Sequence, residues 1–139
     1  MVDTPFPKEI WLHIAQIRAA VFEAVATLSP PDWSFVLTNA LTHNAQSVSV
    51  YHSALELAER RSATFVPVQL LCDTQEHIRR IKQLEREAQM KDTNPETAKG
   101  SSPETLYLPA HPNTLTLDTS TLSAKEAAVQ IIHYAEGLE

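Results

Sequence analysis

The sequence predicts an α/β fold, a small parallel sheet of about three strands with helices on both faces. Two observations predict it. Between Asp32 and Asp73 the chain reads DWSFVLTNAL, an amphipathic helical run, then TFVPVQLLCD, so two apolar, β-branched and aromatic runs flank a helix in the pattern of a βαβ unit. A third such run, TLTLDT at 114–119, follows further on. Ligand crevices in open α/β sheets lie beyond the carboxyl ends of the strands. That rule points to Thr38, Asn39, Cys72, Asp73, Asp118 and Thr119.

The first element is a helix ending before Pro30 and Pro31, with Pro7 where a first turn tolerates proline. Ile10, Ile14, Ile17, Val21, Val25 and Leu28 recur at spacings of three and four, which puts them on one face, widened by Trp11, Ala15 and Phe22. A face this broad predicts packing on the sheet, with His13 and Arg18 at its border. A strand is expected over 34–41 and a helix over 46–61, with Val48, Tyr51, Leu55 and Ala58 inward. The next strand, 64–72, contains Pro67, whose missing amide hydrogen requires either one weakly paired side or a bulge.

Asp73 with Glu76 three residues later forms a capping-box-like start to the helix TQEHIRRIKQLEREAQMK. The Pro/Ser/Thr-rich DTNPETAKGSSPE then reads as a long loop. After TLTLDT, Ser123 and Glu126 make a second capping box and Gly137 ends the last helix.

At 139 residues, 43% hydrophobic and 20% charged, the chain fits a single globular domain. A net charge of -6 opposes broad nucleic-acid binding, which relies on Lys and Arg at phosphates. Cys72 is the only cysteine and forms no internal disulfide. With no apolar run of about 18 residues to mark a membrane span, a reducing, cytoplasmic setting is expected.

A phosphate-binding loop needs glycines so that backbone amides can converge on oxyanions. Gly100 and Gly137 belong to no GxxxxGK[ST] or GxGxxG pattern. The six histidines show no metal-ligand spacing, so no metal site is expected. Arg79, Arg80, Arg86 and Lys91 form the most basic stretch of an acidic chain. Such groups clamp phosphate oxygens, or form a solvated helix face balanced by Glu76, Glu85 and Glu87. Asp73 is accounted for as a cap, and Cys72 as a small packed thiol.

The order DWSFVLTNAL, helix, ATFVPVQLLCD, a helix with an IRRI step, KDTNPE, then HPNTLTLDTSTLSAKEAAVQII resembles the C-terminal three quarters of the bacterial P-loop kinase-like ATP-binding proteins. These carry an AAA-type ATPase label and are related to chloramphenicol phosphotransferase, shikimate kinase and adenylylsulfate kinase. The resemblance spans roughly residues 3 to 135. It implies that Arg79, Arg80, Arg86 and Lys91 belong to a lid over nucleotide phosphates. It further implies that Asp118, Thr119 and Ser120 lie near adenine, and that Asn39 faces a small-molecule substrate. The family's Walker A strand, which lies between the strands matching 34–41 and 64–72, is missing here.

A truncated or degenerate kinase-like protein, inactive as given, is therefore expected. No cofactor is expected for it, and ATP with Mg2+ only for a longer form carrying Walker A. The alternative is a non-catalytic interaction module that dimerises or binds a partner chain. A third reading is a hydrolase built on Asn39, Asp73 and a histidine. With the central strand gone and the first helix's apolar face broad, a homodimer is expected, with neither nucleic acid nor membrane as partner.

Overall fold

The computed structural model describes residues 7, 9–83, 94 and 106–138. Over these the order is α1 (Ile10–Leu28), α2 (Ala45–Arg60), β1 (Val68–Leu71), α3 (Thr74–Ile81), β2 (Leu115–Asp118) and α4 (Ala124–Glu136). The chain is of mixed α/β character, as expected.

The two strands run parallel, pairing Val68 with Leu115 through to Leu71 with Asp118. Pro67 sits just ahead of β1, where its carbonyl accepts from the amide of Leu115 at 2.9 Å and its missing donor is not needed. That explains why the strand begins at Val68 and not at 64.

The expected third strand is not formed among the described residues. Residues 34–41 enter no ladder, and the segment ends in one isolated antiparallel bridge between Thr42 and Leu106. A strand exists only through a partner's amides and carbonyls. The sheet has two strands, and Val36 is 90% exposed.

The helices begin where the sequence marks them, but α3 ends at Ile81, short of the expected run to Lys91, with Lys82 as its C-cap. Asn44 caps α2 by accepting from the Ser47 amide at 2.8 Å, and Asp73 caps α3 from the Glu76 amide at 2.9 Å. Ser123 and Glu126 close a full capping box on α4. At the end of α2 the Ala63 amide reaches the Ala58 carbonyl and the Ser62 amide the Glu59 carbonyl, with Ser62 at φ 53°. This is a Schellman turn made with serine in the left-handed position that glycine usually fills. Residues 84–93, on which the rest of the helix expected after Asp73 falls, lie outside the described residues.

The core forms around α2. Val50, Tyr51, Ala54 and Leu57 are buried, joined from elsewhere by Ile81, Leu117 and Ala127. Tyr51 meets Phe65 and Tyr107 edge to face at 5.7 and 5.9 Å, and Phe65 meets His111 at 5.4 Å. Such T-shaped pairs favour one arrangement of rings over a loose apolar cluster. α4 lies against β2, whereas the main neighbour of α1 is α2 and not the sheet. The expectation that α1 packs on the sheet is thereby corrected: none of its residues is buried.

Candidate functional site

The parallel register puts the ends of β1 and β2 side by side, so the residues that follow them meet. The Thr119 amide and hydroxyl both donate to the Leu71 carbonyl, at 2.8 and 2.9 Å. Ser120 then bridges the two strand ends. Its hydroxyl accepts from the Asp73 amide at 2.8 Å and donates to Asp118 Oδ1 at 2.6 Å, while its amide donates to the same oxygen at 2.8 Å. Those donations from Ser120 hold the Asp118 carboxyl below its ordinary range.

α3 stands over this junction, started by Asp73, and projects Arg80 across to β2. Arg80 Nη1 donates to Thr119 Oγ1 at 3.1 Å, and Nη2 donates to the Thr119 carbonyl and, at 3.4 Å, to the Leu122 carbonyl. Its Nε donates to Glu76 at 2.7 Å. Arg79 takes the same carboxylate with two bonds of 2.6 Å. The hydrogen bonds from Arg79, then those from Arg80, bring the Glu76 carboxyl down to about 2.

Of the residues marked from sequence, the structure thus brings together Arg79, Arg80, Asp118, Thr119 and Ser120. Most of their polar groups are paired within the protein, although the Arg79 side chain stays largely exposed. Both guanidinium groups and the Ser120 hydroxyl are committed to protein partners, so the junction is a lock between α3 and β2 as it stands. Arg86 and Lys91 lie outside the described residues. Asn39 is elsewhere and not on a strand. It lines an open groove of about 250 Å³ with Trp11, Arg18, Leu41, Asn44 and Ser47, and none of the strand-end residues lines that groove.

Cys72, half-buried, follows β1 and precedes Asp73. Burial pushes its thiol above the usual value, and the nearby Arg80 charge offsets this only in part. A protonated thiol is a poor nucleophile. Alkylation of Cys72 by iodoacetamide at neutral pH is expected to run about tenfold slower than that of glutathione; an equal or faster rate would show an activated cysteine. No group of three or more His, Cys, Asp or Glu among the described residues is arranged to hold a metal ion. Nor is any helix among them long and apolar enough to cross a membrane.

Arg61, which sequence reading passed over, makes the other dense polar contact. From the end of α2 it donates to the carbonyls of Val25 at 2.6 Å, Pro30 at 2.7 Å and Trp33 at 3.2 Å, and it lies 5.0 Å from the Phe35 ring centre. The only local sign of it is an arginine following a helix that ends without glycine.

Comparison with protein-family models, curated proteins and solved structures gives no significant match.

Proposed function

We propose that this chain is a non-catalytic interaction module that works by presenting an apolar helix. The observation that carries this reading is α1, nineteen residues long with none buried. Trp11, Ile14, Ile17, Val21 and Leu28 on it are all exposed. Contiguous apolar surface of this extent marks an interface. The strand-end junction supports the same reading, since Arg80 ties α3 to the end of β2 and Arg79 is paired with Glu76 inside α3.

The rival reading is a truncated P-loop kinase-like phosphotransferase, with 34–41 as a third strand, helices on both faces of the sheet, and ATP with Mg2+ in a longer form. It is favoured by one observation: the α3 arginines and the 118–120 loop, assigned to lid and adenine by resemblance, meet at adjacent strand ends. Calorimetric titration with ATP and magnesium separates the two. The interaction module gives no binding below about 1 mM, because charge without converging amides supplies no geometry for a triphosphate. Low-micromolar affinity would reinstate the phosphotransferase.

A further inference from the structure

Resting on the interaction-module reading, we propose that the partner of α1 is the α1 of a second copy of this chain, joined along a coiled-coil seam. The spacing argues for a helix as occupant. Ile10, Ile14, Ile17, Val21, Ala24 and Leu28 follow one another at four, three, four, three and four residues. That is an unbroken alternation of d and a positions with the 3.5-residue period of helix pairing.

The structure leaves this seam open. Ile17 is 65% exposed, Val21 52% and Leu28 81%. The half-buried residues of α1 lie mostly off the seam: Ala15, Arg18, Phe22, Val25 and Ala26, with Ile10 alone of the seam among them. α1 therefore has two apolar faces, and α2 covers only one of them.

Charge decides whose helix fits. The protein carries -6, yet no seam position is charged, and Glu23, the acidic residue within α1, lies off the seam and is held by Arg60 at 2.8 Å. A basic partner would find no acidic rim to meet, whereas two copies of a neutral seam meet without repulsion. Ala24 at a d position, with no side chain beyond Cβ, lets the two backbones come close. A helix pair of this length removes on the order of 600 Å² from each copy, reaching the ~1,200 Å² total at which stable interfaces begin.

The test is sedimentation of the full chain across micromolar concentrations, as wild type, Ile17→Asp and Leu12→Asp. Leu12 is 69% exposed on the opposite side of α1, so its variant carries the same added charge away from the seam. Wild type and Leu12→Asp are expected at about twice 15.5 kDa. Ile17→Asp is expected to be monomeric, its dissociation constant raised at least about a hundredfold, with an unchanged helical circular dichroism spectrum. If Ile17→Asp remains dimeric, or wild type sediments as a monomer, the seam is overturned. In either case the interaction-module reading still stands unless ATP binds at low micromolar concentration.

Discussion

Replacing Arg61 with alanine should lower the unfolding free energy by about 3 kcal/mol. α1 ends at Leu28, and Ser29 turns to extended backbone ahead of the prolines. The last four carbonyls of a helix have no partners within it, and here no glycine cap follows to supply them. Arg61 takes that place from a distance, donating to Val25 at 2.6 Å and then to Pro30 and Trp33 in the turn. Its positive charge also stands at the negative end of the α1 dipole. Hydrogen bonds from a charged donor contribute roughly 1.5–3 kcal/mol net, and the contact with Phe35 adds about 0.5–1 kcal/mol.

The loss should fall on α1 and on 29–35 while the aromatic cluster around Tyr51 persists. Arg61→Lys should recover less than half, because an ammonium cannot reach three carbonyls from one plane. Urea unfolding followed by circular dichroism measures the effect. A change within about 0.5 kcal/mol would mean that the turn holds α1 without the guanidinium.

The contrast between Arg61 and the caps shows where the sequence is informative. Asp73 and Ser123 are legible because a cap is a local event, settled by a side chain and an amide three residues on. β2 and the end of β1 are legible from apolar runs, and Pro67 marks its own limit on the strand. Residues 34–41 carry equally strong strand composition, but composition says nothing about whether a neighbour is present to pair with. Likewise the period of α1 identifies its apolar face correctly without revealing what covers that face. Arg61 and Arg80 act over 28 and more positions, on carbonyls that every residue type supplies, so no pattern could announce them. The candidate site was legible as a location, the carboxyl ends of the strands, and not as chemistry. Which partners each arginine takes is decided by Glu76 and Thr119 together.

Arg80→Ala should therefore destabilise the protein by about 2 kcal/mol, with the loss concentrated where α3 meets β2. Its side chain, 30% exposed, is the link from α3 to Thr119 and Leu122. Without it the Thr119 carbonyl loses a charged donor at a site where Thr119 itself is 8% exposed. The same lock has a pH signature of definite sign. Glu76 titrates at about 2 in the folded chain against an ordinary 4.5, so between these values the unfolded chain binds more protons. Stability from this carboxylate is fully present above pH 4.5 and is lost as pH falls through about 2. Arg79 is the larger cause of that depression, so Arg79→Ala should raise the Glu76 value further than Arg80→Ala does. Arg80→Ala, in turn, should cost more stability, because Arg79 bonds only within α3. NMR titration of the Glu76 carboxyl in the wild type and both variants, with urea unfolding of each, reads the two effects separately. A wild-type Glu76 titrating near 4.5, or an Arg80→Ala protein as stable as its parent, would show that α3 and β2 are held together by packing around Ile81 alone.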